Sequence, residues 1–279
     1  MSVESIRLRD GGMMPRLGLG TWRMGEGAAS RAEEVAAIKL GLDLGMMLVD
    51  TAEMYGSGGA EEIVGEAIRG RRDDVFVVSK FYPHHASRPA LVRACEGSLE
   101  RLAIDCMDLY LLHWRGSVPF EETVETLERL KAQGKIRRWG VSNLDVGDLE
   151  ELVDVDGGDR LASNQVLYSL TQRGAEFDLF PWCGKRHVPV MAYSPLDQGA
   201  IASNRALRAV AEKLGVEPAR VALAWVMRDA NVVAIPKATR AEHVRANRAA
   251  ADLVLDRETL AALDKAFPPP RRKTPLAMA

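Results

Sequence analysis

The sequence predicts one α/β domain with the architecture of a (β/α)₈ barrel, and three observations support this prediction. Short apolar runs alternate with amphipathic segments along most of the chain. The length of 279 residues suits a single barrel, because about 250 residues are typical of this architecture. Polar side chains also follow directly after consecutive apolar runs, where parallel strands would end together on one rim.

Eight apolar runs have the length and composition of strands that are buried on both faces. Helical segments separate these runs, so neighbouring strands are expected to be parallel, and eight such units favour a closed barrel over an open sheet. The expected strands are Leu17–Leu19, Met46–Val49, Val75–Ser79, Met107–Leu112, Arg138–Val141, Ser163–Val166, Val188–Ala192 and Val232–Ile235.

Helices are predicted where apolar residues recur at helical spacing on one face. Ser87, two residues before Pro89, is a typical helix start, and Gly134 is a typical helix stop. The apolar sets are Val35, Ile38 and Leu42; Leu91, Cys95, Leu99 and Leu102; and Val124, Leu127 and Leu130.

The two ends of the chain are expected to lie outside the barrel repeat. Ile6–Gly12 combines a short alternating stretch with Asp-Gly-Gly, a sequence typical of a β-hairpin turn. Residues 1–16 are therefore expected to form a hairpin that covers the bottom of the barrel. Three prolines follow Phe267, so residues 268–279 are expected to form an irregular tail.

Composition excludes several classes of partner. A net charge of −2 provides no general attraction to nucleic acid or to an anionic membrane. The three cysteines are widely spaced, which favours a reducing compartment. The chain has no apolar signal segment at its start and no run near the roughly 18 apolar residues of a membrane span. We expect a soluble, cytoplasmic protein with no nucleic-acid or membrane partner.

Two other motifs receive little support. Gly18–Arg23 begins like a dinucleotide-binding fingerprint but lacks its third glycine. His84 and His85 are adjacent, and adjacent histidines occur more often in an exposed loop than as metal ligands. Because His113 is the one histidine at a strand end, no metal site is predicted.

Asp50, Tyr55, Lys80 and His113 form the candidate catalytic set, because they follow three consecutive strands. A tyrosine with its usual pKa near 10 is a poor acid at neutral pH, and a nearby ammonium group would lower that pKa. Lys80, kept charged by Asp50, would supply this group, while His113 would orient a carbonyl beside Tyr55. Such a set needs hydride from a cofactor.

Each of these residues also has a structural interpretation when it is considered alone. Asp50 is suited to a turn or a helix cap, and Tyr55 to an exposed loop. Lys80 could extend to water, and His113 could be half-buried with its polar atoms satisfied. Their joint placement at one rim favours the catalytic interpretation.

The chain resembles the aldo-keto reductase family, because motifs typical of this family occur in the same order along nearly all of its length. The short C-terminal segment makes it most similar to the compact bacterial branch. The matching segments are Leu17–Trp22, Asp50–Gly56, Val77–Lys80, Asp108–Trp114, Gly140–Asn143, Ala192–Leu196 and Ile235–Lys237.

The resemblance implies NAD(P)H-dependent reduction of small aldehydes, ketones or dicarbonyls in a (β/α)₈, or TIM, barrel. Tyr55 would give the proton, Lys80 and Asp50 would adjust the pKa of Tyr55, and His113 would position the carbonyl. The implied cofactor contacts are Ser142, Asn143 and Gln165 with the carboxamide, Tyr193 with the nicotinamide ring, Ser194 and Leu196 with the pyrophosphate, and Lys237 with the 2′-phosphate. Asp197 lies in the pyrophosphate loop.

Lys237 favours NADP(H) over NAD(H), although the sequence departs here from longer relatives. Ala238 and His243 replace their serine and arginine, and Arg240 is expected to compensate, because guanidinium pairs well with phosphate. Trp22, Tyr82 and Trp114 match the aromatic walls of the substrate pocket, which the short tail would leave open.

Two other functions remain open from the sequence. A nucleotide-binding regulatory or sensor subunit could share this fold, although the chain has no long N-terminal extension of the kind that would serve a partner. A barrel hydrolase or isomerase could use His113 and Asp50, but the sequence offers no metal cluster or phosphate-binding glycine loop. Analogy with the branch implies a monomer.

Overall fold

A computed structural model describes residues 3–278 and begins with a β-hairpin of strands β1 (Ser5–Arg7) and β2 (Met13–Pro15). The strands are antiparallel, and the Leu8 N–H donates to the Gly12 carbonyl across the turn. Leu8 and Met14 are buried in one apolar cluster with barrel residues Leu48, Phe76, Val78, Leu109, Leu111, Met191, Val233 and Ile235. Several of these begin their strands, so the hairpin covers the barrel bottom, as predicted.

The eight strands that follow are parallel and pair in chain order, which confirms the predicted barrel. Each strand contributes a fully or mostly buried segment. They are β3 (Leu19–Gly20), β4 (Leu48–Asp50), β5 (Phe76–Phe81), β6 (Leu109–Leu112), β7 (Trp139–Ser142), β8 (Asn164–Leu167), β9 (Val190–Tyr193) and β10 (Val232–Ala234).

The sheet closes between its first and last strands through two parallel bridges, Leu17 with Ala234 and Gly20 with Lys237. Glycine is required at the second bridge, since a Cβ on Gly20 would lie 2.7 Å from the Ile235 carbonyl oxygen. Most strands begin or end one or two residues further along the chain than predicted. Polar end residues such as Asp50 and Lys80 still take part in the hydrogen-bonded ladder, which an apolar pattern does not reveal.

Helices surround the barrel, and their apolar faces pack on the strands in one large core. The three predicted helices are present, and Ser87 is the N-cap residue of the second. Gly134 has φ of +73° just after the third, as a helix stop requires. The helices are α1 (Arg31–Asp43), α2 (Gly59–Ala67), α3 (Arg88–Leu102), α4 (Phe120–Ala132), α5 (Val146–Asp154), α6 (Leu179–Lys185), α7 (Arg205–Leu214), α8 (Pro218–Val226), α9 (Ala241–Ala250) and α10 (Arg257–Ala266).

The C-terminal segment is irregular up to residue 278, as predicted, yet it is held against the barrel. Lys273 Nζ lies 3.1 Å from an Asp178 oxygen and 3.8 Å from an Asp145 oxygen, and these residues are the N-caps of α6 and α5. The tail therefore reaches the end of the barrel at which the strands end. Residue 279 of the predicted tail and residues 1 and 2 of the predicted hairpin lie outside the described residues.

Within residues 3–278, no helix has both the length and the apolar character that a membrane crossing requires.

Candidate active site

The four candidate catalytic residues meet at the C-terminal end of the barrel. Asp50 is the last residue of β4, and Lys80 is the penultimate residue of β5. Tyr55 begins a short helical turn after β4, and His113 directly follows β6. All four are buried, with Lys80 0% and Tyr55 8% exposed. Consecutive parallel strands therefore bring together the residues that the sequence singled out.

Lys80 is the centre of this cluster. Its Nζ donates to Asp50 Oδ2 at 2.7 Å, to the Thr51 carbonyl at 2.9 Å and to Tyr55 Oη at 3.1 Å. An ammonium group has three N–H donors, so all of them have acceptors. Burial acts to lower the pKa of Lys80, but the charge of Asp50 and the contacts with Asp50 and Tyr55 outweigh it and raise the pKa. Lys80 is therefore a buried cation.

Opposing effects act on the pKa of Tyr55. Burial raises this pKa, Lys80 lowers it, Asp50 raises it further, and the net direction is upward. Lys80 therefore acts in the predicted direction, but its effect is smaller than that of burial. The reason is that desolvation of the phenol exceeds the effect of one ammonium group, which Asp50 partly offsets. At neutral pH Tyr55 thus keeps its proton while its oxygen accepts from Lys80.

His113 is held neutral beside Tyr55. The two rings meet edge to face with centroids 5.8 Å apart. Burial, followed by the charge of Lys80, lowers the pKa of His113 to about 3. Its Nδ1 is buried with no hydrogen-bond partner in residues 3–278. A neutral imidazole carries one N–H, and placing it on Nε2 would give the pocket a hydrogen-bond donor.

The depressed pKa of His113 makes folding sensitive to acid. An unfolded histidine binds a proton below pH about 6.5, whereas folded His113 does so only near pH 3, so its stabilising contribution is present above pH 6.5 and is lost as pH falls. Between pH 7 and 5 the free energy of unfolding should fall by about 2 kcal/mol more in the wild type than in His113→Gln. Urea unfolding measures both values. An equal decrease in the free energy of unfolding of the wild type and of His113→Gln over this pH range would contradict a buried, neutral His113.

The predicted carboxamide-binding residues form a hydrogen-bonded group on β7 and β8. Ser142 Oγ donates to the Gln165 carbonyl at 2.9 Å, and Asn143 Nδ2 donates to Ser142 Oγ and to the His113 carbonyl, each at 3.1 Å. Tyr193 Oη donates to Asn143 Oδ1 at 2.9 Å. Nε2 of Gln165 donates to Asp50 Oδ1 at 2.7 Å. The sequence did not reveal this direct link between the Gln165 amide and the carboxylate of Asp50.

The loop after β9 contains Ser194 and Leu196, the predicted pyrophosphate contacts. Ser194 and Asp197 both have φ of +47°, and the Asp197 N–H donates to the Ser194 carbonyl. Tight turns of this type present backbone N–H groups that suit anions. The carboxylate of Asp197 accepts from the hydroxyls of Ser169 and Thr171, so it holds the loop in place. Sequence reasoning missed these two hydroxyl residues.

Positive groups collect at the start of α9, where the 2′-phosphate contacts were predicted. The backbone of Lys237 forms a parallel β-bridge with Gly20, the last residue of β3, and Arg240 is the N-cap residue of α9. Arg240 Nη2 lies 2.8 Å from His243 Nε2, and Glu242 is 3.3 Å from the same guanidinium. Exposed cations at a helix N-terminus suit a phosphate group. Arg240 and His243 are therefore neighbours at the start of α9.

The three predicted pocket residues are half-buried aromatic side chains. Tyr82 and Trp114 meet edge to face at 5.9 Å, and Trp114 lies 4.9 Å from the His113 ring. Trp22 lies beneath the guanidinium of Arg23, at 4.4 Å. Tyr82 and Trp114 therefore form an aromatic wall that begins next to the candidate catalytic histidine.

These residues fit a nicotinamide dinucleotide. The Gln165 amide, oriented by Asp50, keeps Oε1 as an acceptor for a carboxamide N–H, and Lys237 with Arg240 provides cations for phosphate. By contrast, residues 3–278 contain no group of three or more His, Cys, Asp or Glu side chains arranged to hold a metal ion.

Comparisons with known proteins agree with this geometry. Residues 16–267 match the family model for aldo/keto reductases. Methylglyoxal reductase YeaE of Escherichia coli (strain K12) is 50% identical over 283 residues, which covers 100% of each chain. Glyoxal reductase of Bacillus subtilis (strain 168) is 35% identical and covers 94% of this chain and 92% of its own length.

Solved structures show the same likeness. An aldo-keto reductase from Klebsiella pneumoniae in complex with NADPH has a TM-score of 0.97 at 52% identity, over 100% of both chains. A complex from the same organism with NADP and acetate has a TM-score of 0.96 at 52% identity, over 99% of this chain and 100% of the other.

Proposed function

Because the chain belongs to the aldo/keto reductase family, we propose that it reduces small 2-oxoaldehydes, with methylglyoxal as the model substrate and Tyr55 as the proton donor. The reaction class is that of its relatives: it is an NADP-dependent oxidoreductase that reduces carbonyl groups to alcohols. The 2-oxoaldehyde substrate follows from the likeness to methylglyoxal and glyoxal reductases.

The observation that carries the proposed roles is the contact between Lys80 Nζ and Tyr55 Oη, at 3.1 Å, with Asp50 behind it. When bound, NADPH supplies the hydride. Burial keeps the proton on Tyr55, and because Lys80 donates to the Tyr55 oxygen, the O–H remains free to donate. Tyr55 gives this proton to the substrate oxygen as negative charge develops there. Lys80 then stabilises the phenolate that remains.

His113 has a separate proposed role. As a neutral imidazole it donates a hydrogen bond to the carbonyl oxygen and orients it toward Tyr55, without competing as an acid. Trp22 and the aromatic wall of Tyr82 and Trp114 exclude water from one side of the carbonyl. Ser142, Asn143, Gln165 and Tyr193 would fix the nicotinamide face, and Ser194 and Leu196 the pyrophosphate.

The cofactor preference provides the test of the proposed function. Purified protein should oxidise NADPH in the presence of methylglyoxal, followed at 340 nm, and NADH more weakly. Lys237→Ala should raise the Kd for NADPH at least about tenfold and leave that for NADH nearly unchanged, because it removes a charge-assisted contact with the 2′-phosphate alone. Intrinsic fluorescence measures both constants. Lys185→Ala, an exposed lysine at the end of α6, is the matched control.

The outcomes of this test separate the alternatives. Nucleotide binding without turnover of any aldehyde would favour a sensor subunit, and absence of nucleotide binding would favour a hydrolase or isomerase. An equal rise in the Kd for NADPH and in the Kd for NADH in Lys237→Ala would refute the proposed contact of Lys237 with the 2′-phosphate.

We further propose a cytoplasmic monomer that acts on small molecules and does not bind nucleic acid. The net charge of −2 and the three free cysteines support this proposal.

A further inference from the structure

Glu53 lies in the loop that carries Tyr55, but its contacts are with the next strand and the loop after it. Its backbone N–H donates to the Lys80 carbonyl at 3.2 Å. Its Oε1 accepts from the Tyr82 N–H at 2.7 Å and lies 2.8 Å from His85 Nδ1. Main chain and side chain thus bind the same short segment, which leads from the buried lysine to the aromatic wall.

The carboxylate of Glu53 is largely buried, with 9% of its side chain exposed, and His85 Nδ1 is its side-chain hydrogen-bond partner. Burying a carboxylate is costly unless donors surround it, so this arrangement needs both the Tyr82 N–H and His85. His85 belongs to the short helical turn Pro83–His85, which directly follows Tyr82. Glu53 therefore binds the main chain at Tyr82 and the side chain of His85 three residues later.

Tyr82 is the centre of an aromatic group that depends on this main-chain position. Its ring stacks on His84 with centroids 4.8 Å apart and meets His85 and Trp114 edge to face at 5.8 and 5.9 Å. These rings lie on and directly before the short helical turn Pro83–His85, so their place depends on where this turn begins. A fixed hydrogen bond at Tyr82 sets the orientation of the wall.

We propose that Glu53 is a positioning residue that determines specificity for larger carbonyl substrates, by holding Tyr82 and the wall at a fixed distance from Tyr55. This inference rests on the proposed reductase function. The two contacts of Glu53 have separate effects. The backbone bond to the Lys80 carbonyl does not involve the side chain, so it remains when Glu53 is replaced by Met or Gln and Tyr55 keeps its place beside Lys80. The hydrogen bonds of the Glu53 carboxylate with Tyr82 and His85 are lost in Glu53→Met, so only the aromatic wall loses its fixed position.

Kinetics on two aldehydes tests this separation. In Glu53→Met, the KM for 4-nitrobenzaldehyde, whose ring reaches the wall, should rise about tenfold, the effect of losing hydrogen bonds to a charged group. The KM for methylglyoxal should change less than about threefold, because this small molecule has no ring to pack on the wall. For both aldehydes kcat should stay within about threefold. Glu53→Gln, which keeps an acceptor for the Tyr82 N–H, should restore most of the loss.

A double-mutant cycle with His85→Asn tests the pairing. If His85 acts through Glu53, the double variant Glu53→Met/His85→Asn should have the same KM for 4-nitrobenzaldehyde as Glu53→Met alone. Glu128→Gln is the matched control, because Glu128 also accepts from a neighbouring N–H, that of the Trp139 indole, and from Arg160, but at the start of β7. That control should leave both KM values unchanged.

A purely structural role would give a different result. Loss of folded protein would lower kcat by the same factor for both aldehydes, with KM unchanged and a lower Tm. That pattern, or an unchanged ratio of the two KM values in Glu53→Met, would overturn the proposal. If the wild type reduces neither aldehyde with NADPH, the proposed function fails, and this inference fails with it.

Discussion

Replacing Lys80 by methionine is expected to abolish most turnover and to destabilise the fold. The substitution keeps the length of the side chain and removes its charge, so Asp50 remains buried without its cation. Breaking a buried ion pair on one side costs roughly 3–5 kcal/mol in the free energy of unfolding. Turnover should fall at least about a thousandfold, because the phenolate left on Tyr55 after proton transfer would have no counter-charge.

A second substitution separates the two effects of Lys80→Met. Adding Asp50→Asn removes the unpaired carboxylate, so most of the lost stability should return in urea unfolding. Turnover should not return, since the cation beside Tyr55 is still absent. Recovery of activity together with stability would show that Lys80 acts only through the fold.

Removing the hydroxyl of Tyr55 is expected to have the second large effect. In Tyr55→Phe, kcat should fall about a thousandfold, within the range for the loss of a general acid. The Kd for NADPH should stay within about twofold, since the lost interaction matters mainly in the transition state. Stopped-flow turnover and fluorescence titration measure these quantities.

Tyr110→Phe is the matched control for this substitution. Tyr110 lies in β6, is fully buried, and packs in the core cluster between the strands and the helices. The same loss of one hydroxyl should leave kcat nearly unchanged there. A comparable loss of kcat in both variants would mean that Tyr55 is sensitive only because it is buried.

The fold was predictable because of the regularity of the barrel. Buried parallel strands appear as apolar runs, and their ends meet on one rim, so Asp50, Lys80 and His113 could be placed together before the structure was known. The prediction that Tyr55 joins this cluster required one further condition, namely that the loop after β4 turns back over the strand ends. Exact strand ends were less predictable, because polar residues such as Lys80 continue the hydrogen-bonded ladder.

Other features depend on balances that a sequence does not display. The direction of the pKa of Tyr55 results from burial opposed by Lys80, and the outcome depends on distances and desolvation. The contacts of Glu53 with Tyr82 and His85 join two loops about thirty residues apart, with no periodic pattern to mark them. Likewise, the orientation of Gln165 toward Asp50 follows only from the closed barrel.

The most direct test of Tyr55 as the proton donor is a single turnover of the NADPH complex of Tyr55→Phe with saturating methylglyoxal, followed at 340 nm. This measurement reports the chemical step without cofactor exchange or product release. If Tyr55 gives the proton, the rate should be about a thousandfold below that of the wild type under the same conditions. A single-turnover rate within about tenfold of the wild type would contradict this role of Tyr55, because another group would then be giving the proton.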